Sequence, residues 1–278
     1  MKYSEQPGPI GVFDSGYGGL TIVSEIRKRL PQYDYIYLGD NARTPYGTRS
    51  FEVVYEYTLQ CVKKLFEMGS HLVVLACNTA SAKALRNIQQ CDLETLDPNR
   101  RVLGIIRPTV ESISDLTQSR RVGLFATSGT VQSNSYPLEI YKLAKDIKVL
   151  SQACPMWVPL IENNEYQTEG AEFFIKKYVQ QLCARDPQID AFILGCTHYP
   201  LIVEQIKKYL PPNAKVISQG KLVADSLADY LHRHPEMTAR CTTGSTVKYY
   251  TTESVEKFTA SAKVFLQEDV EAEKISLK

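Results

Sequence analysis

The strongest constraint on this chain is an internal echo. Gly11-Val12-Phe13-Asp14-Ser15-Gly16 is matched by Gly123-Leu124-Phe125-Ala126-Thr127-Ser128-Gly129, and Val73-Val74-Leu75-Ala76-Cys77-Asn78-Thr79 by Phe192-Ile193-Leu194-Gly195-Cys196-Thr197-His198. Gly123 follows Gly11 by 112 residues and Cys196 follows Cys77 by 119, so two similar units occur in the same order at nearly the same spacing. Each block is a short apolar run ending in a turn, the pattern of a parallel strand buried on both faces. Buried strands of this kind resemble one another in any fold. A cysteine at the same place in both units makes chance a poorer explanation.

The rest of the chain alternates in the same way. Strands are expected at 10–13, 35–38, 72–75, 102–106, 122–125 and 191–194. Helices are expected from the Gly-rich turn Asp14-Ser15-Gly16-Tyr17-Gly18-Gly19 to about Leu30, from Phe51 to about Met68 with Gly69 as the stop, over 81–89, from about Val131, and near 201–209. Strand–helix alternation predicts an α/β fold with mainly parallel sheets flanked by helices. The charged residues from about Glu268 are expected to fray.

A length of 278 residues suits about two domains, and 44% apolar residues suit a full core. Lys+Arg 32 against Asp+Glu 31 leaves no field to attract nucleic acid or an anionic membrane. The N-terminus lacks the apolar stretch of a signal peptide, and no run approaches the ~18 apolar residues of a membrane span, so a cytoplasmic protein is expected. Seven cysteines at irregular spacing do not form a disulfide framework. Cys61, Cys91, Cys154, Cys183 and Cys241 are read as small core residues.

Cys77 and Cys196 are read differently. Each follows a buried run by one small residue, which places it at the carboxyl end of a strand, where open parallel sheets bind ligands. The following residues lead into turns and helix starts, whose free N–H groups favour anions and thiolates. Two such units face to face put a thiol on each side of one ligand. Racemisation needs this arrangement: one group removes the α-proton, and a second of the same type delivers a proton to the opposite face. Asp14 could orient a thiol, hold a substrate ammonium or cap a helix, and Ser15 begins the Gly-rich turn. His198, two residues from Cys196, could activate the thiol or serve as a structural hydrogen-bonder. The Gly-rich turn lacks the spacing of a nucleotide loop. No C-x-x-C occurs for zinc, and no lysine stands beside these motifs for pyridoxal phosphate. Neither a metal nor a cofactor is therefore expected.

These residues also carry a family resemblance. Ile10-Gly11-Val12-Phe13-Asp14-Ser15-Gly16 with Gly18-Gly19-Leu20, Gly39-Asp40 with Arg43-Thr44-Pro45-Tyr46-Gly47, Ala76-Cys77-Asn78-Thr79-Ala80-Ser81, Ala126-Thr127 with Gly129-Thr130-Val131, and Gly195-Cys196-Thr197-His198-Tyr199-Pro200-Leu201 together resemble the glutamate racemase family over nearly the whole chain. Either cysteine block alone would leave the wider aspartate/glutamate/hydantoin racemase group open. The Arg-x-Pro-Tyr-Gly block favours glutamate. The resemblance implies cofactor-independent interconversion of L- and D-glutamate, with D-glutamate supplied to peptidoglycan synthesis. It implies Cys77 and Cys196 as the acid/base pair, assisted by Asp14 and His198. It implies a substrate site lined by Asp14, Ser15, Tyr46, Gly47, Asn78, Thr79, Thr127, Thr197 and His198. The implied domains are two similar α/β units, 1–103 with 214–278 and 104–213, with the active site between them, and the expected assembly is a homodimer. Arg107, before Pro108, departs from the family pattern and is left without a role; Glu162 is carried over as a weaker candidate. The alternatives are a racemase of aspartate or another small amino acid, a thiol hydrolase built on Cys196 and His198, and a protein that binds an amino acid without chemistry.

Overall fold

The apolar runs become strands because they are short, rich in Val, Ile, Phe and Tyr, and bounded by turn residues. The computed structural model describes residues 3–277. Its strands are β1 (Ile10–Asp14), β2 (Tyr35–Gly39), β3 (Leu72–Leu75), β4 (Arg101–Gly104), β5 (Arg121–Ala126), β6 (Lys148–Ala153), β7 (Ala191–Gly195), β8 (Lys215–Ile217), β9 (Val247–Thr251) and β10 (Ala272–Lys274). They form one sheet in the order β10-β9-β2-β1-β3-β4 and another in the order β6-β5-β7-β8. Every named pairing is parallel.

The echo in the sequence is also an echo in register. Gly11 pairs with Val73 and Phe13 with Leu75; Gly123 pairs with Phe192 and Phe125 with Leu194. The order β2-β1-β3-β4 recurs as β6-β5-β7-β8, and β9 and β10 extend the first sheet at the β2 edge. All residues of β1, β2, β3 and β7 are buried. Apolar clusters cover both faces of each sheet. Val12, Tyr37 and Val74 lie in one cluster while Phe13, Leu38 and Leu75 lie in another. Phe125, Phe192 and Leu194 are divided in the same way from Leu124 and Ile193. Helices on both faces supply the apolar cover that a parallel sheet requires.

Several boundaries differ from expectation. The strand expected to reach Ile106 stops at Gly104, and a helix begins at Ile106 and runs to Leu116. Pro108 fits its first turn, where a missing N–H costs nothing. The helix expected from Val131 begins at Ser128, because the Thr127 side chain caps it by accepting the Thr130 N–H. It breaks at Asn134, whose φ of 54° is left-handed, and a second helix runs Ser135–Leu143. The helix expected over 81–89 starts earlier, at Asn78, and gives way to a wider turn at Ile88–Asp92. The segment expected to be helical over 201–209 is a 3₁₀ turn, Tyr199–Ile202, followed by a short helix, Val203–Lys207. The tail is not frayed: β10 pairs with β9, and Ile275 N–H donates to the Thr251 carbonyl. Ile275 and Leu277 pack on the first sheet's core. β8 hydrogen-bonds to β7 and so belongs to the second sheet. Among the described residues no helix is long and apolar enough to cross a membrane.

Candidate active site

The repeated unit brings the candidate side chains to the carboxyl ends of neighbouring strands, at the β1/β3 and β5/β7 junctions. Doubly wound sheets place ligands at such switch points. Asp14 ends β1 and Cys77 follows β3 by two residues; Ala126 ends β5 and Cys196 follows β7 directly. One cleft, about 610 Å³ of empty volume with its mouth included, is lined from both sheets. Cys77 and Cys196 both line it, as do Asp14, Ser15, Tyr46, Gly47, Asn78, Thr79, Thr127, Thr197 and His198.

Cys77 is 5% exposed. It caps the following helix, its Sγ accepting the Ala80 N–H at 3.3 Å, and lies 3.2 Å from Ser15 Oγ. Burial pushes its thiol up to about 12, and the nearby Asp14 carboxylate and the Cys196 sulfur add to the rise. At neutral pH Cys77 is therefore a thiol. Asp14, 1% exposed, accepts the Gly16 and Gly19 N–H groups at 3.2 and 2.9 Å through one oxygen. Burial raises its pKa against the opposing pull of His198 and these two bonds.

Cys196 has a different neighbour. Its Sγ lies 3.6 Å from His198 Nδ1, and His198 Nε2 lies 2.9 Å from Glu162 Oε1. Burial works against charge on His198, but the bonds to Cys196 and Glu162 outweigh it and hold the imidazole well above its ordinary 6.5. At neutral pH an imidazolium therefore stands between the Cys196 sulfur and Glu162. Glu162, absent from the cleft wall itself, thus reaches the site through His198.

The two halves also meet directly. Thr79 Oγ1 is 3.0 Å from Thr127 Oγ1, and Thr21 Oγ1 donates to the Thr197 carbonyl at 3.1 Å. A Cβ on Gly18 would sit 2.4 Å from both His198 Nδ1 and Thr197 Oγ1, so only glycine lets the first turn lie against the second cysteine block. Tyr46 lines the cleft and its hydroxyl donates to buried Asp40, which also pairs with Arg43 at 2.6 Å. Among the described residues no cluster of three or more His, Cys, Asp or Glu could hold a metal ion.

The model of the Asp/Glu/Hydantoin racemase family matches residues 20–227. The chain belongs to this family. A glutamate racemase of a Ruegeria species is 40% identical over 271 residues, covering 94% of this chain and 97% of that one. Among solved structures, a glutamate racemase isoform of Bacillus anthracis matches with a TM-score of 0.88 at 34% identity, covering 97% of this chain and 98% of the other. The Francisella tularensis glutamate racemase in complex with D-glutamate matches with a TM-score of 0.86 at 34% identity, covering 98% of each chain.

In this member of the family the rest of the wall comes from residues outside the implied substrate site. Thr44, Pro45 and Thr48 flank Tyr46, and Ser128, Cys154, Pro155, Val158 and Pro159 come from the second sheet's side. Cys154 was read as a core thiol; it is buried, but it also lines the cleft. Cys61 and Cys241 are buried, Cys183 is partly buried, and Cys91 is exposed, contrary to its core reading. Cys91 lies in the wide turn after Ile88, whose spacing turns its side chain outward. Arg107 is exposed and pairs with Glu111 at 2.8 Å on its own helix.

Proposed function

We propose that this protein interconverts L- and D-glutamate without a cofactor, with Cys77 and Cys196 as the two proton-transfer groups. The observation that carries the reading is that two cysteines at equivalent positions of a repeated unit face one cleft. One sulfur, as thiolate, removes the α-proton; the other, as thiol, delivers a proton to the opposite face. The reverse reaction uses the same pair with roles exchanged. In the turnover that begins with Cys77 as the thiol, Cys196 is the base, and its sulfur lies beside the His198 imidazolium, which Glu162 steadies. Cationic neighbours of this kind favour thiolates.

Asp14 is placed to take the substrate ammonium. That cation offsets the carboxylate charge that helps keep Cys77 protonated. Ser15 orients the Cys77 sulfur. Asn78, Thr79, Thr127 and Thr197 offer donors to the substrate carboxylates, and such preorganised donors stabilise the charge that develops once the α-proton leaves. Tyr46 and Gly47 close the wall. The domains are 1–104 with 218–278 and 105–217, a division supported by strand membership and by the matching places of β4 and β8. The protein works in the cytoplasm as a homodimer, supplying D-glutamate for peptidoglycan.

A chiral assay of the purified protein against L-glutamate and L-aspartate in parallel tests the reading. D-Glutamate should accumulate to an equal mixture, with aspartate turned over far more slowly. Turnover of aspartate alone would reassign the substrate, and bound glutamate that never changes configuration would leave only a binding protein.

A further inference from the structure

Behind Asn78 lies a closed ring of buried polar side chains. Tyr136 Oη donates to Asn78 Oδ1 at 2.7 Å, Asn78 Nδ2 donates to Gln219 Oε1 at 2.6 Å, and Gln219 Nε2 donates back to Tyr136 Oη at 2.8 Å. Gln219 Nε2 also lies 3.1 Å from the Ile105 carbonyl and 3.0 Å from Thr109 Oγ1. Tyr136 and Thr109 are fully buried, and Asn78 and Gln219 are 2% and 3% exposed. No member of this ring other than Asn78 lines the cleft.

The ring has a direction. A backbone carbonyl only accepts, so the Ile105 oxygen requires Gln219 to turn its amide nitrogen toward it. Gln219 then offers Asn78 an oxygen, and Asn78 must answer with its own nitrogen. Tyr136 holds the other end of the same carboxamide. One Nδ2–H of Asn78 is spent on Gln219, and the second remains for the cleft. A buried amide fixed at both ends cannot flip to present oxygen to an anionic ligand without breaking both bonds.

The ring also sits at a particular place in the chain. Ile105 follows β4 directly, and Gln219 follows β8 by two residues. β4 and β8 are equivalent strands of the repeated unit, after which the chain passes from one sheet to the other. The Gln219–Ile105 bond therefore ties together the two passages between the sheets.

We infer that Gln219 and Tyr136 are positioning residues for the reaction: they fix the Asn78 carboxamide with a donor toward the substrate and couple that donor to the two interdomain passages. This rests on the reading of Asn78 as a substrate-binding group. The test is a double-mutant cycle in kcat/KM for L-glutamate, with Tyr136→Phe, Gln219→Met, Asn78→Ala and the two pairs with Asn78→Ala. Tyr136→Phe should lower kcat/KM about fivefold to tenfold, mainly through KM, because one hydrogen bond that orients the donor is lost. Gln219→Met should cost at least as much. In the Asn78→Ala background neither should cost more than about twofold, since the group they hold is gone. Losses that multiply in full in that background would show a general structural role and overturn the inference while leaving Asn78 in the site. An Asn78→Ala enzyme with normal kinetics would remove Asn78 from the site and overturn both. Tyr136→Phe keeps the ring's volume, so the cycle stands on that arm if Gln219→Met does not fold.

Discussion

Cys77→Ala and Cys196→Ala each lower kcat for glutamate racemisation by about 10³-fold, in both directions, because positioned acid/base groups contribute roughly 10²–10⁴-fold and this reaction needs one on each face of the α-carbon. Neither sulfur has a substitute in place. Cys154 also lines the cleft, but burial first, and then the Cys196 sulfur, push its thiol well above the ordinary value. Both variants should still bind glutamate, since the proposed carboxylate and ammonium partners remain. The check is steady-state kinetics beside a binding isotherm. The pairing of losses separates the account from a thiol hydrolase, which would use Cys196 with His198 and tolerate Cys77→Ala. Near-normal turnover in either variant would take that sulfur out of the mechanism.

Asp14→Asn is the second large effect, and activity and stability should part company. Loss of the charged partner for the substrate ammonium should lower kcat/KM about a hundredfold, the upper part of what a hydrogen bond between charged groups contributes. The limb of the pH profile that reports Cys77 should also move to lower pH, because the Asp14 charge is one of the causes of its rise. Stability should not follow. Burial raises the folded-state pKa of Asp14 above its ordinary 3.8, so the ionised carboxylate subtracts from stability at neutral pH. That penalty shrinks as pH falls through the folded pKa and is gone below the unfolded one. Asparagine keeps an acceptor for the Gly16 and Gly19 N–H groups without the charge. Tm at pH 7 should therefore equal or exceed that of the unsubstituted protein, and the advantage should vanish near pH 4. A clear drop in Tm at pH 7 would assign Asp14 a mainly structural role.

The parts of the site that could be read from the sequence were those tied to strand ends. Gly11-Val12-Phe13-Asp14 and Phe192-Ile193-Leu194-Gly195-Cys196 are contiguous, so a buried run and the chemical group after it lie side by side in the chain. Cys154 and Val158 follow an edge strand, β6, whose Lys148–Ala153 sequence is half polar and only partly buried. The apolar-run criterion passes over such a strand. β9 was missed for the same reason: Val-Lys-Tyr-Tyr-Thr is half polar and gains its place by pairing with β2. The tail was misread because its charges suggested fraying, whereas a three-residue edge strand needs only backbone partners and two apolar anchors, Ile275 and Leu277. The Asn78–Gln219–Tyr136 ring joins residues 58 and 141 positions away from Asn78. No local pattern encodes that meeting; it follows from the second passage between the sheets.

The most direct test of a proton acceptor on one face and a donor on the other is isotope entry during the first turnovers. Pure L-glutamate is incubated with the protein in D₂O, and both enantiomers are analysed at early times. The account predicts deuterium at Cα of the D-product while the remaining L-substrate still carries hydrogen. Equal early labelling of both enantiomers would mean a single group serving both faces, and would contradict it.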